Sequence, residues 1–123
     1  EAAYAKPCGK HANEKRVTRA ACLKQLKRDR MAWPPKPKAW EIKRRVGSYN
    51  WNKARQVAIC ETGMNLNHYP SGTYRGPLGM YVRTQQFGMR ATGYTNPTTW
   101  QEHVAIAVAS HRITRGWSGW GCA

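Results

Sequence analysis

One glutamate in this chain asks for a chemical explanation. Glu61 directly follows Cys60 at the end of an apolar run, Val57-Ala58-Ile59, and a glycine-punctuated aromatic stretch comes next. A carboxyl group at such a place is expected to be partly desolvated, and desolvation favours the neutral acid. A carboxylic acid held protonated near neutral pH can protonate a leaving oxygen. The competing reading is an ordinary glutamate at a helix end, exposed and inert.

Few acidic partners are on offer. The six carboxylate residues are Glu1, Glu14, Asp29, Glu41, Glu61 and Glu102. Acid catalysis that uses two carboxylates places the second about 5–10 Å from the acid. After Glu61 only Glu102 remains, and Thr99-Trp100-Gln101-Glu102 reads as a capping box, with Thr99 as N-cap and Glu102 reaching back to it. Glu41 is a weaker candidate. A single-acid mechanism fits best: Glu61 protonates a bridging oxygen and then, as a carboxylate, activates a nucleophile.

Other chemistries find little support. A Ser-His-Asp set is implausible, because Asp29 is the sole aspartate, and the glycines lack the order of a phosphate-binding loop. His111 falls on the expected buried face of the last helix and reads as a packed histidine. His103 falls on the opposite face, and His68 in a loop. Cys8-Gly-Lys-His11 with Cys22 offers three zinc ligands and no CxxC pair, so neither metal nor cofactor is expected. The four cysteines, Cys8, Cys22, Cys60 and Cys122, suit two disulfides and hence an oxidising, extracytoplasmic location. Of the three connectivities, Cys8–Cys22 with Cys60–Cys122 is preferred, since each pair then staples one segment.

The elements that must position Glu61 come next. A chain of 123 residues argues for one globular unit, and 41% hydrophobic content with six Trp and six Tyr provides for a core. No apolar run is long enough to span a bilayer, and Glu1 to Ala5 does not read as a secretory leader. Residues 1–35 form a basic segment with a helix from about Ala12 to Met31, on which Val17, Ala20, Ala21 and Lys24 make a narrow stripe beside Leu23 and Leu26. Trp33-Pro34-Pro35-Lys36-Pro37 is a stiff connector. From residue 36 the texture is globular. Ala39, Trp40, Ile42 and Val46 suggest a short helix stopped at Gly47. Ser48 or Asn50 caps the next, with Trp51, Ala54, Val57 and Ala58 at helical spacing. A hairpin follows, with a turn expected at Pro70-Ser71-Gly72. Asn96-Pro97-Thr98-Thr99 opens the last long helix, whose buried face is expected to carry Trp100, Val104, Ala107, Val108 and His111.

Several stretches resemble one family. Trp51, then Val57-Ala58-Ile59-Cys60-Glu61-Thr62-Gly63-Met64-Asn65, is similar to the W-x-x-V-A-x-C-E-S/T-G-G-N-W stretch of the resuscitation-promoting-factor and transglycosylase-like domains of actinobacteria. Ser71-Gly72-Thr73-Tyr74-Arg75-Gly76-Pro77-Leu78-Gly79-Met80 resembles their N-G-Y-Y-G-G-L-Q-F hairpin. Ala105-Ile106-Ala107-Val108-Ala109 and Arg115-Gly116-Trp117-Ser118-Gly119-Trp120-Gly121-Cys122 resemble their Q-I-A-V-A and Q-G-W-G-A-W-P-x-C ending. The likeness spans residues 48–122 in order. It implies an α+β, mainly α, lysozyme-like fold over residues 36–123 with a short β-hairpin. It also implies cleavage of the β-1,4 bond between N-acetylmuramic acid and N-acetylglucosamine in peptidoglycan, with Glu61 as the acid and Cys60 bonded to Cys122. The hairpin, about Tyr69 to Tyr81, would line the sugar groove, and a family threonine falls near Thr84. The expected substrate-binding set is Asn65, Tyr69, Thr73, Tyr74, Gly76, Leu78, Tyr81 and Thr84. Tyr74 and Tyr81 are also natural stacking platforms for pyranose rings.

The chain departs from the family pattern at Met64, Leu66, Gly79 and Gln85. A second expectation therefore stays open, a lysozyme-like fold that grips glycan without cutting it. If it cuts, the nucleophile is either water, giving a reducing end, or the muramic acid 6-hydroxyl, giving a 1,6-anhydro sugar. With 21 Lys and Arg the net charge is +15, which attracts polyanions. The basic N-terminal segment is expected to hold a secreted, monomeric enzyme to anionic wall polymer. Nucleic acid suits the charge and the interleaved aromatics, but paired cysteines fit a reducing cytosol poorly and no recognition motif is present.

Overall fold

The computed structural model describes residues 18–29, 33–34, 36–69 and 72–122. It is an α+β structure, mainly α. Helices α1 (Arg19–Asp29), α2 (Ala39–Val46) and α3 (Ser48–Thr62) precede a two-stranded hairpin, β1 (Tyr74–Arg75) and β2 (Met80–Tyr81). Helices α4 (Val82–Thr92) and α5 (Trp100–Ser110) follow, then a 3₁₀ turn at Gly116–Gly119. Among the described residues no helix is long and apolar enough to cross a membrane.

Helix α5 is the axis of the core. Val104, Ala105, Ile106 and Ala107 are all fully buried, because α2, α3 and α4 pack around it. A helix enclosed on every side has no polar face. The expected one-sided stripe is therefore too narrow: His103, Ala105, Ile106, Ala109 and Ser110 are buried too, whereas Trp100, Val108 and His111 are half-buried. Thr99 and Glu102 form the expected capping box. The Glu102 carboxylate accepts from the Thr99 N–H at 3.2 Å and from the Thr99 hydroxyl at 2.7 Å.

Helix α2 ends at Gly47 as expected, with Ile42 and Val46 buried, but Trp40 is 62% exposed. Helix α3 buries Ala54, Val57 and Ala58. Gly47 is its N-cap. Asn50 instead donates its side-chain amide to the Val46 carbonyl at 2.8 Å and accepts from the Trp117 indole at 2.9 Å. The helix stops in a left-handed glycine cap: Gly63 (φ 65°) donates to Ile59 O at 3.0 Å, and the Met64 N–H reaches Ala58 O at 3.1 Å.

The hairpin pairs Tyr74 with Tyr81 and Arg75 with Met80. Its strands meet through Gly76-Pro77-Leu78-Gly79, not through the expected Pro70-Ser71-Gly72, of which Pro70 and Ser71 lie outside the described residues. Gly76 and Gly79 supply the positive φ that so tight a reversal needs, 75° and 58°, and the Gly79 N–H closes on Gly76 O at 3.0 Å.

Helix α4 carries Gly88 in its middle. A Cβ there would stand 2.7 Å from Cγ2 of Ile106 and press on the Ile106 carbonyl, so the missing side chain lets α4 lie directly on α5. Helix α1 leans on α4, with Cys22 1% exposed beside Phe87, Ala91, Ala109 and Ile113. The face turned to the domain is that of Cys22 and Leu23. Ala20, Ala21 and Lys24, expected in the stripe, are exposed, because the bonded cysteine sets the buried side. The connector is tied down as well: the Tyr94 hydroxyl donates to Pro34 O at 3.0 Å. Burial, helped by the nearby Glu102 charge, pushes that phenol up to about 12, so it remains a donor.

Two cysteine expectations meet the structure differently. Cys60 and Cys122 form a disulfide across 62 residues. Cys22 is disulfide-bonded, and its expected partner Cys8 lies outside the described residues.

Candidate functional site

Glu61 sits in the last turn of α3, one residue after the disulfide, on the wall of a cleft of about 440 Å³. The hairpin contributes Tyr74, Met80 and Tyr81, α4 contributes Thr84, and the tail contributes Thr114, Gly116 and Gly119–Gly121 with Trp120 between them. Glu61 is the one carboxylate among these residues. Glu102 and Glu41 are both spent on helix starts, the latter accepting from the Lys38 N–H at 3.2 Å. Among the described residues no two-carboxylate pair is assembled in this cleft.

Two hydrogen bonds pin the hairpin turn to the walls. The Thr62 hydroxyl donates to Pro77 O at 2.6 Å and accepts from the Asn65 N–H at 3.1 Å. The Trp120 indole N–H donates to Leu78 O at 2.8 Å. Gly79 leaves room at the carboxyl: a Cβ there would stand 3.9 Å from Glu61 Oε2. Met64 holds φ 66°, a conformation that favours glycine, at the position where the resembling stretch has one, and its side chain packs on the core.

The expected partial burial of Glu61 is not found. Ile59 is 54% exposed, and Cys60 and Glu61 are exposed with it. The apolar face ends at Ala58, and the last helical turn projects into solvent.

The expected binding residues divide. Tyr74, Tyr81 and Thr84 line the Glu61 cleft. Leu78 does not: it is 1% exposed, because the turn folds its side chain into the core while its carbonyl faces Trp120. Asn65, Tyr69 and Thr73 are exposed on the rim segments and line neither cleft described here. Gly76 is buried and faces a second cleft of about 280 Å³ on the far side of the hairpin. Thr114 and Trp120 also line the Glu61 cleft. The Trp-Ser-Gly-Trp ending signalled an anchor, and Trp120 serves as both anchor and wall.

The histidines also rearrange. His103, expected on the polar face, is 4% exposed and lines the second cleft. Burial pushes it down to about 4, against the opposing Glu102 charge and a hydrogen bond with the Pro97 backbone. His111 packs edge-on to Trp117, with ring centroids 4.7 Å apart. His68 lines both clefts. Among the described residues no group of three or more His, Cys, Asp or Glu is placed to hold a metal ion.

Comparison with protein-family models, with curated proteins and with solved structures finds no match to this chain.

Proposed function

We propose that the chain cleaves peptidoglycan glycan strands at the bond between N-acetylmuramic acid and N-acetylglucosamine, with Glu61 as general acid and base. The observation that carries this reading is the placement of Glu61 as the one carboxylate lining a cleft whose walls also present Tyr74, Tyr81, Trp120 and the hydroxyls of Thr84 and Thr114. Flat ring faces suit pyranose rings, and hydroxyls suit their edges.

In the proposed reaction the Glu61 carboxyl gives its proton to the glycosidic oxygen as the bond from that oxygen to C1 breaks. The resulting carboxylate takes a proton from the incoming hydroxyl, water or the muramic acid 6-hydroxyl, whose oxygen bonds to C1. The Cys60–Cys122 disulfide supports a secreted protein, and the +15 charge supports retention on anionic wall polymer by a monomer.

The exposure of Glu61 favours one rival, a fold that holds glycan without cutting it. Mass spectrometry of purified peptidoglycan after incubation decides between them. New muropeptides with anhydro or reducing ends, absent with Glu61→Gln, are expected. Saturable binding with no new ends supports the rival.

A further inference from the structure

Behind the hairpin from Glu61 lies the second cleft, of about 280 Å³. It is not a continuation of the first along the same strand face. Tyr74 and Tyr81 form one cross-strand pair and turn to the Glu61 cleft, whereas Arg75 and the turn residue Gly76 turn to the second. The two clefts meet at His68.

The walls of this second cleft have a distinct chemistry. Among the described residues Arg75 is the one charged side chain on them, and no carboxylate lines them. The Arg75 Nε donates to Gly72 O at 2.7 Å, which fixes the guanidinium on the hairpin. Around it stand amides of Asn67, Gln85 and Asn96 and hydroxyls of Thr95 and Thr98, over an apolar floor of Leu66, Met89 and Pro97. His103 closes the inner end. Its side chain is 96% buried, being 4% exposed, and its Nε2 has no hydrogen-bond partner. Gly76 packs against that ring so closely that a Cβ would stand 3.0 Å from Cε1. A buried polar nitrogen left unpaired is costly.

A fixed guanidinium among neutral donors suits a carboxylate ligand, and the nearest acid, Glu102, is held behind the wall, where it accepts from the Thr98 and Thr99 N–H groups. The volume falls near the lower end of small-ligand pockets, roughly 300 Å³ and up, so the occupant is short. We propose that the second cleft binds a carboxylate-bearing peptide, the short peptide branch of the same glycan strand that the first cleft receives. The inference rests on the proposed glycan substrate for the identity of the peptide, and on the cleft alone for its chemistry. A strand lying against Tyr74 and Tyr81 would send its branch past His68 to Arg75, so the protein would read strand and branch on the two faces of one hairpin.

The test separates this site from the cutting reaction. Free peptide branches, released from the glycan by amidase, are titrated into the isotopically labelled full-length protein and followed by NMR. Saturable shifts confined to residues 66–68, 75–76, 85, 89, 95–98 and 103 are expected, with Glu61→Gln binding the peptide as the wild type does. Arg75→Met is expected to weaken binding about tenfold, the scale of one charge-assisted hydrogen bond. Arg75→Lys, which restores the charge without the Nε bond, is expected to recover most of it. No saturable shifts up to about 10 mM peptide, an affinity too weak to matter, overturn the proposal, as does equal binding by Arg75→Met and wild type. Glycan cutting by the wild type is measured alongside. Cutting without peptide binding overturns the second site alone. Peptide binding without cutting sustains the site and overturns the proposed enzymatic activity.

Discussion

The indole N–H of Trp120 donates to the carbonyl of Leu78 at 2.8 Å, joining residues 42 apart in sequence. The bond ties the C-terminal tail to the hairpin turn directly over the Glu61 cleft. Trp120→Phe keeps most of the ring and removes the donor, which leaves the carbonyl short of a partner. A loss of about 1–3 kcal/mol in unfolding free energy is expected, read from the denaturant midpoint. A midpoint equal to that of the wild type would show that the turn does not depend on this bond.

The two glutamates of the second half of the chain should behave in opposite ways. Glu61 is exposed and Glu102 is engaged in a cap. Glu61→Gln is expected to abolish wall cleavage without moving the melting temperature, since the amide cannot donate a proton with the same acidity. Glu102→Gln should leave both nearly intact, because glutamine serves in a capping box. Glu102→Ala should cost on the order of 1 kcal/mol through the lost cap. Retention of cleavage by Glu61→Gln removes it as the acid.

Acid should destabilise the fold through His103. Its native pKa, about 4, lies below the ordinary value of 6.5. Between these values the unfolded chain binds a proton that the native chain does not, so unfolding gains as pH falls. The neutral imidazole's contribution is complete above pH 6.5 and is lost progressively down to about pH 4, for a total of about 3 kcal/mol. Chemical denaturation at pH 7, 5.5 and 4, with His103→Gln as reference, measures it. Parallel pH profiles for the two proteins would contradict the assignment.

The N-terminal helix should matter to the fold as well as to wall retention. Cys22 is buried against Phe87, Ala91, Ala109 and Ile113, and Tyr94 bonds to Pro34 O. Deleting residues 1–35 uncovers that cluster, and a drop of roughly 5 °C or more in melting temperature is expected. A segment serving only as an electrostatic tether would leave melting unchanged and reduce only salt-sensitive wall binding.

Opening the Cys60–Cys122 bridge, which spans 62 residues, should cost about 4 kcal/mol by the chain-entropy estimate. The Cys60→Ser, Cys122→Ser double variant, compared with the wild type in denaturant, measures it. An unchanged midpoint would assign the stability elsewhere.

What the sequence made legible was local. Helix α3 announced itself through Ala54, Val57 and Ala58, and Thr99 with Glu102 announced the start of α5. Both are patterns that lie within a few residues. Helix α4 was not foreseen, because Gly88 is a poor helix former whose reason lies in Ile106, a residue of another element. His103 was assigned to a solvent face that α5 does not have, since its enclosure depends on three other helices. At the site, Glu61 lies beside Tyr74, Tyr81 and Thr84 as expected, but of its two readings the exposed helix end, not the desolvated acid, is the one its burial matches. Burial of a side chain at a helix end depends on what covers it, and no spacing rule encodes that.

The bridge that follows Glu61 also has a mechanical meaning. Cys60 anchors the wall that carries the carboxyl, and Cys122 anchors the wall that carries Trp120. The two jaws of the cleft are thus riveted at one end, while the Trp120–Leu78 bond acts as a latch partway along. With the rivet in place the slot has a set width, and a glycan must enter along its length. Cutting the rivet leaves the latch and, deeper in, the Trp117–Asn50 bond between tail and α3, so the reduced protein is expected to gape at the Glu61 end and grip a strand loosely even before it unfolds.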